Sequence, residues 1–446
     1  MAELSAALSA AQSALTLDQT LIGVTGNNIA NLDNPNFARR QAQISEQTPL
    51  NFGRFTLGTG VQLDNIVGVR DRALNLRIAA ETSDTYGDTA FVSAMSQVEQ
   101  YFPADGSSGI ASALNQFWSS WQALAADPSN NGSKQQVFSA AQDLASAFRS
   151  TASGIAATAN SAANEVQSEL DQANGLLGQL AKLNGSSGTI TPEISDQQDQ
   201  IIGELSKIAN ISVVRSGAGL SVSTASGVAL VSGTHWTALQ SGQVSGSQAV
   251  TAGGSDVTQD LIAGSVGGNL KALNQALPAL QSRIDTLASS VATAVNTAYG
   301  ANFFQPSAAV GGSASSLQVA VASAASIQAG SPGLTGDNSI ANALADLRTQ
   351  PIVVTQTGIA GLTAADYHSD TVFQLGEQVA GATAQSQAGA TVLAQMQQQQ
   401  QAIEGVSLDS EAANLMQYQR AYSAAARVIT TVDQMMQTAI GMGANV

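Results

Sequence analysis

Near the amino terminus, large apolar side chains recur every seven residues at Leu8, Leu15, Ile22 and Ile29, flanked by Ala7, Ala14 and Leu21. This spacing predicts a helix over about 3–31 whose apolar stripe packs against another helix. The carboxyl end repeats the arrangement. Leu408, Leu415, Tyr422, Ile429 and Met436 keep the same interval, and Tyr418, Ala425, Val432 and Ala439 fill the companion positions of a seam. Ser407 or Asp409 can cap the start of that helix, and Gly441 follows its end. Two bare stripes at opposite ends of one chain satisfy each other or the stripes of neighbouring copies. That is the layout of a subunit built to polymerise.

Between the ends, apolar residues at helical spacing predict helices over 85–126 and 134–184, broken by Asp127-Pro128-Ser129-Asn130-Asn131-Gly132. A third runs from Thr191 to about Ile208, with Pro192 in its first turn. The period then changes to two. Ile211, Val213, Leu220, Val222, Val228 and Leu230 alternate with small polar residues and are punctuated by glycines, which predicts short antiparallel strands fading into a Gly/Ser-rich stretch over 241–256. Helix returns over 265–299, loops occupy 300–335, and short helices follow at 339–347 and 364–405. The fold class is therefore mainly α with a small β insertion (α+β): paired terminal coiled-coil helices, a long-helix bundle and an outer antiparallel β domain. The expected division is 1–36 with 403–446 as the terminal unit, 37–205 with 258–402 as the helical unit, and 206–257 as the insertion.

Composition narrows the function. Lys and Arg total 16 against 32 Asp and Glu, a net charge of −16, which disfavours nucleic acid and anionic membranes as partners. Without cysteine there is no disulfide, thiolate nucleophile or Cys-ligated metal, and two histidines, His235 and His368, do not make a His-rich metal site. The first residues have neither the basic nor the apolar region of a Sec signal, and no run of about 18 apolar residues spans a membrane. Six of the 16 basic residues crowd into 39–77: Arg39, Arg40, Arg54, Arg70, Arg72 and Arg77. Such a cluster in an acidic chain is an inter-subunit contact or a solvated face.

Candidate chemistry is sparse. Asp366, His368 and Asp370 would share one face of a strand, but Thr363 three residues ahead of Asp366 marks a helix start, and in a helix the three diverge. Glu193, Asp196 and Asp199 have the spacing of acids in the first turns of a helix, where the dipole favours them. Trp118 and Trp121 read as core fillers, and the nucleophile-elbow, zinc-protease, P-loop and dinucleotide motifs are missing. No catalytic residue, metal site or cofactor is expected, and the protein is not expected to be an enzyme.

The segment after the first helix, Asn27-Asn28-Ile29-Ala30-Asn31 followed by Pro35-Asn36-Phe37 and Arg39, reads physically as a helix stop and a tight turn. Together with Gly405-Val406-Ser407-Leu408-Asp409-Ser410-Glu411-Ala412-Ala413-Asn414-Leu415 it resembles the flagellar rod, hook and hook-associated axial protein family, closest to its hook-associated branch. Asn36 and Phe37 stand where many relatives have Gly and Tyr.

The resemblance implies terminal helices paired as a coiled coil in the inner core of an axial tube, a helical layer around them and a variable insertion outside. It implies copies of the chain in a ring, hook protein on one side, hook-associated protein 3 on the other, and an export chaperone at the last helix. It also implies extracellular assembly after passage, unfolded, through the flagellar type III channel. The alternatives are another axial protein (hook-associated protein 3, hook or rod protein) and a secreted enzyme or adhesin on a flagellar-like scaffold.

Overall fold

The computed structural model describes all residues except 1, 53–54, 104–105, 187–190, 217–218, 245, 307–308, 332–333, 335, 355–360 and 444–446. Arg54 therefore lies outside the described residues. The chain runs through α1 (Ala2–Ala30), β1 (Arg40–Glu46), β2 (Leu50–Phe52), β3 (Phe55–Leu57), β4 (Val61–Gly68), α2 (Arg72–Glu99), α3 (Gly109–Ala126), α4 (Asn131–Gly185) and α5 (Pro192–Ile208). Then come β5 (Ser212–Ser216), β6 (Gly219–Ser223), β7 (Ala229–Ser232), β8 (His235–Trp236), β9 (Leu239–Val244), β10 (Ser247–Ala252) and β11 (Ser255–Asp256). The last part holds α6 (Gly264–Lys271), a π-helical turn (Ala272–Ala276), α7 (Leu277–Tyr299), α8 (Ser313–Ser316), α9 (Ser339–Asp346), α10 (Ala364–Glu404) and α11 (Leu408–Gly443). The class is mainly α with small antiparallel sheets, as the periodicity predicts.

Four local differences from the sequence reading have physical causes. Residues 40–68 form an antiparallel ribbon, β1 on β4, with a bulge at Gln43/Ile44. Its strands are largely polar, so alternation did not betray them. The helix expected over 85–126 is two helices. The first begins at Arg72, because the Asp71 carboxylate accepts from the Ala73 and Leu74 amides at 3.1 Å each. The break falls where Gly106 and Gly109 take left-handed conformations beside Pro103.

The helix expected over 265–299 contains the π turn. Pro278 has no N–H to give the carbonyl of residue 274 and crowds it, so the helix widens there. The Asn274 side chain uses the bend to bond both backbone groups of Gln248 on β10, at 2.8 and 2.9 Å. Finally, the Gly/Ser-rich 241–256 stretch is not loop. β9, β10 and β11 pair there as a second sheet beside the β5-β6-β7-β8 sheet, with Leu239, Val250 and Ala252 buried beneath it.

Two cores share one helix. The first is built by α2, α3, α7 and the near half of α4, around an aromatic cluster in which Phe117, Trp121, Tyr299, Phe303 and Phe304 lie with ring centres 5.2 to 6.3 Å apart in the contacting pairs. The second takes Val166, Leu170 and Leu177 from the far half of α4 and packs them against α5, α6 and both sheets of the β insertion. The β insertion thus has no separate core of its own. Helix α10 lies antiparallel along α2, tied by Thr89 to Ser386 at 2.9 Å and Gln400 to Asn75 at 2.8 Å. This leaves α11 free to turn back toward α1.

Candidate functional site

Helices α1 and α11 run antiparallel beside one another. Two anchors fix the direction: Gln19 Nε2 donates to the Tyr422 hydroxyl at 3.4 Å, and the Arg39 N–H donates to the Glu404 carbonyl at 2.9 Å, just ahead of α11. On α11, Leu415, Tyr422, Ile429 and Met436 are half-buried along one face with Tyr418, Ala425 and Ala439, and Val432 is buried among them. Leu408, in the first turn, is half exposed.

On α1, Leu8, Leu15, Ile22 and Ile29 are half-buried. The deepest positions lie one step around the helix, at Ala11, Asp18, Leu21, Thr25 and Asn28. The ribbon explains the offset. Gly60, beside β4, lies so close to Ala10 and Ser13 that an added Cβ would sit 2.3 Å from the Ser13 hydroxyl. Helix α1 is thus covered from two sides. Asp18 makes no ion pair among the described residues, and its burial pushes its carboxyl above its ordinary value.

The asparagine motif builds the joint between α1 and the rest of the chain. Asn28 is buried, and its carboxamide accepts from the Arg40 N–H at 2.8 Å and donates to the Arg40 C=O at 3.0 Å. Asn31 Nδ2 donates to the Asn27 carbonyl at 2.9 Å and closes the last helical turn. Asn34 Oδ1 accepts from the Asn36 amide at 3.1 Å, an Asx turn around exposed Pro35. Phe37 lies under the Arg40 guanidinium, 4.7 Å from its ring centre. Arg39 joins the ribbon through its backbone, accepting from Val69 at 2.8 Å.

Behind the motif sits an ion-pair network that sequence reasoning missed. Asp196 bridges Arg40 and Arg70, and Asp199 pairs with Arg215 while Arg70 Nε approaches its other oxygen at 2.8 Å. Glu193 stands 3.6 Å from Arg40. The acids of α5, read as dipole-favoured first-turn residues, are thus the partners of the arginine cluster. No local signal could reveal this, because the pairs lie more than a hundred residues apart in sequence for Arg40 and Arg70.

Burial drives the Asp199 carboxyl upward despite Arg215 and Arg70. It also works to raise Glu193, but hydrogen bonds from its own amide and Thr191, with Arg40, hold that group below its ordinary value. Glu404 closes the joint from the α10 side. Its carboxylate accepts from the Asp71 amide at 2.8 Å, and its burial raises its pKa.

The remaining polar candidates are structural. His368 is buried, stacked at 6.5 Å on Phe102, and its pKa is lowered by burial. Asp366 bonds Thr363 at the start of α10, and Asp370 pairs with Arg283 at 2.6 Å. The three point to different neighbours. Among the described residues no group of acids and histidines is disposed to hold a metal ion. His235 and Trp236 lie exposed on β8, at one end of its sheet.

Comparisons with known proteins place the chain among flagellar components. The carboxyl-terminal region of the flagellar basal body rod FlgEFG proteins matches residues 397–442, the stretch that holds α11. The chain is an axial protein of the bacterial flagellum. The helical domain of flagellar hook-associated protein FlgK matches residues 95–305. Flagellar hook-associated protein 1 of Bacillus subtilis strain 168 is 25% identical, with 98% of each chain covered. Its counterpart from Escherichia coli K12 is 24% identical over 67% of this chain and 58% of its own.

The solved structure of the flagellar hook junction protein FlgK from Burkholderia pseudomallei superposes with a TM-score of 0.66 at 15% identity. It covers 74% of this chain and 100% of that one, so the fold is shared. The chain is thus similar over nearly its whole length to flagellar hook-associated protein 1, and it is a structural axial component of the flagellum that assembles there with other axial proteins.

Proposed function

We propose that the protein forms the junction between hook and filament, as a ring of identical copies held together by α1 and α11. Hook protein lies on one side of the ring and hook-associated protein 3 on the other. The observation that carries this reading is a second apolar stripe on α11. Ala421, Val428, Met435 and Met442 recur every seven residues on a face that α1 does not cover, and Met435 and Met442 are 53% and 66% exposed. Burying one such side chain fully contributes about 1.5–3 kcal/mol. A chain that keeps this stripe bare gains that energy by assembling.

The same reading makes 1–36 with 403–446 the inner unit, 37–205 with 258–402 the helical layer, and 206–257 the outward insertion. Leu8, Leu15, Ile22 and Ile29 form the assembly seam with Leu408, Leu415, Tyr422, Ile429 and Met436, and Asn27 to Arg39 form its hinge. Before assembly, an export chaperone covers the α11 stripe while the chain passes unfolded through the type III channel to the cell exterior. The protein is a structural part and not an enzyme.

Deleting the gene and imaging the cells tests the placement. Bare hooks with monomeric flagellin shed into the medium are the expected outcome. Missing hooks would move the protein to the rod or hook, and intact motile filaments would refute the proposal.

A further inference from the structure

The first turns of α2, the outer face of α5 and β5 enclose a groove of about 350 Å3. Its apolar lining is Leu76 and Ile78 from α2, Ile202 from α5 and Val213 from β5; Arg70, Arg72 and Arg215 line it too, with Asp199 as the one acid. On the α5 side, a Cβ added at Gly203 would meet nothing within 4 Å, so that wall is open.

The structure sorts the arginines of residues 39–77 by use. Arg40 and Arg70 are neutralised internally by Asp196 and Asp199. Arg72 and Arg77 are exposed and make no ion pair among the described residues. Arg72 is also the first residue of α2, where the helix dipole disfavours a cation, and inside the chain it acts on Asp199 without forming an ion pair with it. One turn further along the same face, Leu76 is 52% exposed in the groove. An exposed apolar side chain with Arg72 one turn before it in the groove and exposed Arg77 next to it in sequence is the chemistry of a surface that meets an acidic, partly apolar segment.

We infer that this groove receives such a segment from a second copy of the chain, an inference that rests on the ring assembly proposed above. Charge complementarity selects the occupant. Outside residues 39–77 the chain carries ten Lys and Arg against 29 Asp and Glu, so a second copy presents acid almost everywhere else. The groove then supplies the lateral register between helical layers, and α11 supplies the hold between inner helices.

The test uses a photo-cross-linking amino acid at position 76, with a second variant carrying it at position 428, each in cells that make only that variant. Isolated flagella are irradiated and the linked peptides identified by mass spectrometry. Position 76 is expected to link to an acid-bearing peptide of another copy. Self-links from position 428 but none from 76, or links from 76 only to a different protein, would overturn the groove while leaving the ring intact. Absence of the protein from flagella would overturn both. Arg72→Glu with Arg77→Glu should abolish the link from position 76, and Arg72→Lys with Arg77→Lys should keep it. Both positions are exposed, so an unchanged circular dichroism melt shows that the fold is untouched. A link that survives the Glu pair counts against the inference.

Discussion

The carboxamide of Asn28 treats Arg40 as a strand treats its neighbour, accepting the Arg40 N–H at 2.8 Å and donating to the Arg40 C=O at 3.0 Å. Helix α1 is thereby stitched to the first residue of β1 by two bonds in a buried position. Replacing Asn28 by Ala strands both backbone groups, at a cost of about 1–3 kcal/mol. Amide exchange at Arg40 should accelerate while α4 and α7 keep their protection. Unchanged protection at Arg40 would show that the pairing does not hold the joint.

Asp196 is the shared anion of two arginines, and the side chain of Arg40 is only 4% exposed. Asp196→Ala leaves that buried guanidinium without its nearest charge. Removing one partner of a buried pair costs about 3–5 kcal/mol, more than an ordinary surface substitution. Denaturant unfolding of the purified chain should register most of it. A loss below about 1 kcal/mol would mean that Glu193 takes over the role.

Glu404 gives a pH dependence with a definite sign. Its folded pKa is raised above the ordinary 4.5 by burial, so between 4.5 and the folded value the native chain holds a proton that the unfolded chain has released. Stability therefore falls as pH rises through that window. Glu404→Gln keeps an acceptor for the Asp71 amide and cannot ionise, so its melting temperature should fall less than that of the parent chain over the same window. Parallel profiles for the two chains would contradict the burial argument.

Ile22→Asp and Ile429→Asp each place a charge on the half-buried seam between α1 and α11. Neither residue contributes to the two buried cores. The variants should be exported and folded through their middle, with a near-native circular dichroism melt, yet be missing from isolated flagella. Normal incorporation of either one argues against the seam.

How much of this was legible in the sequence depended on how locally each feature is encoded. The terminal helices were readable because seven-residue repeats are written into consecutive residues, and Trp121 and Leu170 announced core positions through helical spacing. The joint was hidden. Arg40 and Asp196 lie 156 residues apart, and nothing in the spacing of Asp196 and Asp199 distinguishes ion-pair partners from helix-capping acids. The ribbon at 40–68 escaped notice because Gln41, Gln43 and Ser45 give it polar strands whose pairing comes from position in the fold. Val250 and Ala252 were overlooked among glycines and serines, although they close the second core. The stripe on α1 was legible without its exact rotation, because the ribbon that meets Asn28, Ala10 and Ser13 was not in view.

Helix α4 lines the first core from Val137 to Ile155 and the second from Val166 to Ala181, and it passes from one to the other without a break. At 1.5 Å per residue, its 55 residues make a rod about 80 Å long. A push on the β-insertion sheets therefore travels as compression and bending of one continuous helix into the aromatic core, with no soft linker along α4 to absorb it. If the insertion faces outward in the proposed assembly, α4 makes it a rigid spoke, and drag on it would be delivered as torque to the helical layer.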